Sequence, residues 1–134
     1  MEQLSIGELI AKLEAISPKR NDGTTKDVSF DFGSAIPTTL DSWRGDYSQL
    51  ALGYDLTGYD SEKNHMNKTS IVDLLAELKS AIGKTFEGWK GGEYTMDEST
   101  DIWVANSGNS SHTAINDVTD IGWCIIINTF FLEY

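Results

Sequence analysis

Ile6, Leu9, Ile10, Leu13 and Ile16 recur at steps of three and four, the spacing that lines one face of a helix. Ser5 and Glu8 stand in the relation of a capping box, and Leu4 and Leu9 in that of a hydrophobic staple, so a helix is predicted to open at Ser5. Pro18 stops it, because proline has no N–H to donate and its ring collides with the preceding turn. The period then changes. Lys19 to Lys26 reads as a loop, after which Val28, Phe30 and Phe32 alternate with Ser29 and Asp31 as a half-buried strand, ended by Gly33 and Pro37. An irregular stretch leads to Leu50, Leu52, Tyr54 and Leu56, which alternate in a second strand predicted over about Tyr47 to Leu56. Thr57 to Lys68 is polar and reads as a loop.

A second helix is predicted from Thr69 or Ser70, with Ile71, Leu74, Leu75, Leu78 and Ile82 at helical spacing and Gly83 at its C-terminal cap. Beyond Gly83 the pattern turns β-like: Thr85 to Trp89, Glu93 to Met96, Ile102 to Ala105, Thr113 to Val118 and Trp123 to Phe131. The last two flank Asp120-Ile121-Gly122, which reads as a hairpin turn. This order predicts an α+β fold, two helices packed on one mostly antiparallel sheet, in a single domain over residues 1–134.

Composition agrees with one globular domain: 134 residues, 40% of them hydrophobic, can bury a core without disulfides or a metal. No apolar run approaches the roughly 18 residues of a membrane helix. The N-terminus is amphipathic and opens with an acid rather than as a secretory signal, so a cytoplasmic protein is expected. One cysteine, Cys124, excludes an internal disulfide and a cysteine-based zinc site, and neither a cofactor nor a metal is expected.

Charge narrows the partners. At a net −11 the whole-chain field repels nucleic acid and anionic lipid. The excess is uneven, with one base, Lys90, against eight acids over residues 85–134, so a negative surface is expected there. Such a surface serves solubility, or engages a basic protein.

Phosphate-loop and dinucleotide fingerprints are missing, and His65 and His112 sit in polar loops outside any metal-binding spacing. More informative is where three of the ten bases lie: Arg44 in Ser42-Trp43-Arg44-Gly45-Asp46, Lys84 after Gly83, and Lys90 in Gly88-Trp89-Lys90-Gly91-Gly92. Each adjoins a glycine and two adjoin a tryptophan. Aromatic faces beside cations and close backbone N–H groups can hold a base and a phosphate together. The structural alternative is that these glycines shape turns, the tryptophans fill core, and Arg44 pairs with Asp41 or Asp46.

The series Phe30-Asp31-Phe32-Gly33, Ser42-Trp43-Arg44-Gly45-Asp46-Tyr47, Gly83-Lys84-Thr85-Phe86, Gly88-Trp89-Lys90-Gly91-Gly92 and Trp103-Val104-Ala105 resembles a family of small, mostly uncharacterised bacteriophage proteins. The resemblance covers most of the chain. It implies an accessory protein, acting in the cytoplasm of a bacterial host, of the kind that counters host defences; it transfers no functional residues. Two readings follow. In the first, the chain sequesters a small anionic nucleotide signal without catalysis: Trp43, Trp89 or Tyr94 stacks the base, Arg44, Lys84 and Lys90 hold phosphates, and Thr95 or Asn106 reads the base edge. A homo-oligomer is expected in that case, because such pockets often form between subunits. In the second, it is an acidic inhibitor that covers the basic nucleic-acid groove of a host defence nuclease. An enzyme that degrades the signal is the least supported, since no nucleophile–base pair emerges.

Overall fold

The first helix forms where its caps predict. A computed structural model describes residues 3–32, 35–43, 46–55, 59–60, 65–66, 69–88, 91–105 and 113–131, with the side chains of 46–48, 55, 59–60 and 65–66 left out of the description. Helix α1 (Ile6–Glu14) begins with a reciprocal capping box: Ser5 Oγ accepts from the Glu8 N–H at 3.2 Å, and the Glu8 carboxylate accepts from the Ser5 N–H at 3.0 Å. It buries Ile6, Leu9, Ile10 and Leu13. Helix α2 (Ile71–Ala81) is capped by Ser70, whose hydroxyl accepts from the Asp73 N–H, and it ends before Gly83, which takes φ +79°. Its inward stripe is Ile71, Leu74, Leu78 and Ala81.

Among the described residues ten strands accompany them: β1 (Asp27–Phe30), β2 (Ile36–Trp43), β3 (Asp46–Asp55), β4 (Tyr59–Asp60), β5 (His65–Met66), β6 (Thr85–Glu87), β7 (Glu93–Thr95), β8 (Ile102–Val104), β9 (Thr113–Asp120) and β10 (Cys124–Phe131). Six make the main sheet in the order β1-β10-β9-β8-β3-β2. The pairs β4-β5 and β6-β7 are separate two-stranded ribbons. Most pairings are antiparallel, as expected, but β1 with β10 and β3 with β8 run parallel.

The balance of the fold differs from two helices laid on one sheet. Strands outweigh helix, and the sheet curls until its edge strands β1 and β2 touch, so the architecture is mostly β with two helices. The longest strand that the sequence pattern does not reveal is β2, in the stretch that reads as irregular. Pro37 stands in it, and its register shifts between Pro37 and Leu40 and again between Ser42 and Trp43, which breaks the alternation that reveals a strand. An edge strand tolerates the proline. Short strands also appear inside the segment read as the loop Thr57 to Lys68, at β4 and β5.

One face of the sheet and the stripes of both helices form the main core, with Val28, Phe30, Leu50, Leu52, Ile102, Ile115, Ile125 and Ile127 buried against Leu9, Leu13, Leu74 and Leu78. The open edges do not stay bare. Glu77 of α2 accepts from the Leu40 N–H at 3.1 Å, Thr69 Oγ1 donates to the Pro37 carbonyl at 2.7 Å, and the Val28 N–H donates to the Thr69 carbonyl at 2.8 Å. Covering edge donors and acceptors in this way removes a template for strand addition.

Candidate functional site

Four of the sequence-predicted site residues are described, and they divide between two places. Trp43, at the end of β2, belongs to an apolar cluster on the sheet face turned away from the helices, with Ala51, Trp103 and Ala114. Trp43 and Trp103 stack with ring centroids 4.0 Å apart and planes 3° from parallel. The register explains the fit: Trp103 lies across from Ala51 on one side and Ala114 on the other, and these small residues leave room for flat indoles. The Trp103 indole N–H donates to Gln49 Oε1. Trp43 is 5% exposed, so its ring serves this stack.

Lys84, Tyr94 and Thr95 lie on or next to the β6-β7 ribbon, with Tyr94 and Thr95 on its opposite faces. Lys84 Nζ lies 5.0 Å from the centroid of the Phe86 ring, Tyr94 is paired with Phe86, and Thr95 Oγ1 shares a 2.9 Å hydrogen bond with Thr85 Oγ1. The outer face that carries Thr95 also carries Glu87 directly opposite Glu93. Like charges facing each other repel, and they are the wrong sign for a phosphate. Arg44, Trp89, Lys90 and Asn106 lie outside the described residues.

A different constellation of the same chemistry, which the sequence reading missed, sits where β1 and β10 begin. Parallel pairing of Asp27 with Cys124 sets the loop before β1 beside the β9-β10 turn, although they are far apart in sequence. The loop closes on itself through the Lys19–Thr25 bridge and Gly23, at φ +87°. The turn is held by the Asp120 carboxylate, which accepts from the Gly122 N–H at 2.9 Å. Arg20 then joins the two: its Nε donates to the Trp123 carbonyl at 2.6 Å, and its guanidinium also reaches Thr24 Oγ1 and Asp27 Oδ2, each at 3.0 Å. Lys26, its side chain only 6% exposed, bonds both oxygens of Asp120.

The result is a cleft of about 350 Å³ lined by Lys19, Arg20, Lys26 and Trp123, within the size range of small-ligand sites. The Arg20 guanidinium carbon sits 4.6 Å from the centroid of the Trp123 ring, and Trp123 is 66% exposed. Hydrogen bonds from Thr24 hold the Asp22 carboxyl below its ordinary range, and the Gly122 N–H followed by Lys26 does the same for Asp120. Both therefore stay ionised near neutrality. With Asp27 they balance the three cations, so the local charge of the cleft is close to neutral. The hydrogen bond that Lys19 makes among the described residues is to a neutral hydroxyl, Thr25 Oγ1 at 2.9 Å.

Acids gather instead at the start of α1. The segment before β8 docks there through the Gly7 N–H to the Glu98 carbonyl and the Ile6 N–H to the Thr100 carbonyl. Burial, and then the neighbouring Glu8, raise the Asp101 carboxyl above its ordinary value. A raised native pKa means that ionisation of Asp101 costs stability at neutral pH, and that this cost vanishes as pH falls below the unfolded value of 3.8. Asp101→Asn is expected to stabilise the protein at pH 7 and to lose that advantage below about pH 4, as read by denaturation midpoints across pH. An advantage that does not change with pH would assign the effect to hydrogen bonding.

Among the described residues no group of three His, Cys, Asp or Glu is placed to hold a metal ion, and no helix is long and apolar enough to cross a membrane. Cys124 is a half-buried free thiol. Compared with known proteins, the chain matches no family model, no curated protein and no solved structure.

Proposed function

We propose that the chain is a non-catalytic binding protein that sequesters a small anionic nucleotide, in the service of a bacteriophage countering a nucleotide-signalled defence. The observation that carries this reading is the cleft that Lys19, Arg20 and Lys26 line together with Asp22 and the exposed indole of Trp123. One face of that indole is covered by the Arg20 guanidinium, which fixes the ring. The other face takes the base, and Lys19 Nζ takes the phosphate. A base stack is worth about 1 to 3 kcal/mol and a charge-assisted hydrogen bond about 1.5 to 3 kcal/mol. Together they give only a weak monomeric site, so two copies closing on one ligand are part of the proposal. Because the sheet edges are covered, that contact uses loops rather than strand addition.

Titrating the full chain with cyclic and linear nucleotides, followed by calorimetry and tryptophan fluorescence, tests the proposal. Trp123→Ala is expected to weaken capture about tenfold, and Lys84→Ala to leave it unchanged. The opposite pattern would move the site to the β6-β7 ribbon. Absence of any nucleotide binding would remove the reading altogether.

The second reading, an acidic inhibitor of a basic defence nuclease, is favoured by the opposed pair Glu87 and Glu93 and by the crowding of Glu8 against Asp101. Reversing Glu93, Asp97, Glu98 and Asp101 to lysine would abolish inhibition in that case and leave nucleotide capture intact in the first.

A further inference from the structure

We infer that the groove at the far end of β10 is a site for an alkylated ammonium group. Four aromatic residues, Phe32, Tyr54, Phe130 and Phe131, line it together with Thr113 and Thr129, in a volume of about 430 Å³. Phe32 and Tyr54 meet edge to face, with centroids 5.2 Å apart and planes at 86°, and Phe30 stacks behind Phe32. Phe131 is 66% exposed. An aromatic face is the negative end of the ring quadrupole, so rings that line an open groove attract a cation with little hydration to lose wherever their faces are accessible.

The surrounding charge points the same way. No described lining residue carries a positive charge. Asp31 is bonded to one lining residue: its carboxylate accepts from the Thr129 N–H at 2.8 Å and from Thr129 Oγ1 at 2.6 Å. These bonds brace the strand at the register shift between Asn128 and Thr129 and hold a negative charge next to that lining residue. The net −11 of the chain adds a long-range pull on cations. Alkylation matters because a methylated ammonium sheds water cheaply and presents methyl groups to the rings, whereas a bare ammonium stays hydrated. The groove lies at the opposite end of β10 from Trp123, roughly 20 Å away at about 3.3 Å per strand residue. The inference is therefore independent of the nucleotide reading.

Full-length protein is titrated by calorimetry and saturation-transfer NMR with choline, with a peptide bearing trimethyl-lysine, and with 3,3-dimethylbutan-1-ol, the neutral isostere of choline. Choline is expected to bind at least tenfold more tightly than the isostere. Phe131→Ala and Phe131→Leu, at an exposed position that leaves the fold intact, should each weaken it about tenfold, because leucine keeps apolar contact but removes the π face. Asp31→Asn, which preserves a bond to the Thr129 N–H, should weaken it less, and Trp123→Ala should not alter it. Binding of both free choline and the peptide supports a site for the head group itself; binding of the peptide alone, with the same dependence on Phe131, supports a partner's side chain as the source. Equal binding of the isostere, no binding of either cation, or indifference to both Phe131 variants in a folded protein overturns the inference.

Discussion

Trp43→Ala is expected to lower the free energy of unfolding by about 3 to 5 kcal/mol, the usual cost of deleting a buried large aromatic side chain. Two effects combine. The indole leaves a void that Ala51 and Ala114, the small residues of the same cluster, cannot fill, and Trp103 loses the parallel ring stacked against it. Aromatic pairs contribute about 0.5 to 1.5 kcal/mol beyond the area they bury, so Trp43→Ala and Trp103→Ala should be coupled by about that amount in a double-mutant cycle. Against a typical total of about 5 to 15 kcal/mol, either change takes a large share of the stability. Denaturant midpoints give the loss, and the near-ultraviolet circular dichroism of the coupled indoles should collapse in both variants. A loss below about 1 kcal/mol with the spectrum unchanged would return Trp43 to the surface, and to the role in base stacking first read from its neighbours Arg44 and Gly45.

Gly7→Ala is expected to cost about 2 kcal/mol, against the direction that helix propensity alone predicts. Alanine in place of glycine inside a helix ordinarily gains about 1 kcal/mol. Here the added Cβ would lie 2.9 Å from the Glu98 carbonyl oxygen and 3.1 Å from Glu98 Cβ. The obstacle is backbone, and it cannot swing aside cheaply. The Gly7 N–H donates to that carbonyl at 3.0 Å, and the Ile6 N–H holds Thr100 at 2.9 Å. The glycine lets the segment before β8 close over the start of α1, so a larger residue must lift that segment off. Thermal and denaturant unfolding read the sign; a stabilised variant would show that the approach relaxes without loss.

Elements whose signals are local were legible in the chain. Ser5 with Glu8 and Ser70 with Asp73 cap helices through bonds three residues long, and the apolar stripes between them need no distant partner to be recognised. The β9-β10 hairpin was equally plain, since Gly122 supplies the positive φ that its turn requires. β2 escaped because its signal is contextual: with Pro37 and two register shifts it makes sense only as an edge strand paired to β3 and sealed by Glu77.

For the candidate site, the residue types were legible and their meeting was not. Cations beside tryptophan and glycine are visible in a sequence only where they are neighbours along it, as in Trp43-Arg44-Gly45, whereas Arg20 meets Trp123 across 103 positions. By itself the sequence determined the caps, the two helices, the alternation of most strands and the negative field of the chain, because each depends on residues within a turn or two, or on a sum over all of them. Only the tertiary structure decided that the sheet curls, that Trp43 faces Trp103, and that Lys19, Arg20 and Lys26 line one cleft with Trp123. The physical reason is the parallel pairings of β1 with β10 and of β3 with β8, which are long-range contacts set by burial of the whole core and leave no local mark in the residues that make them.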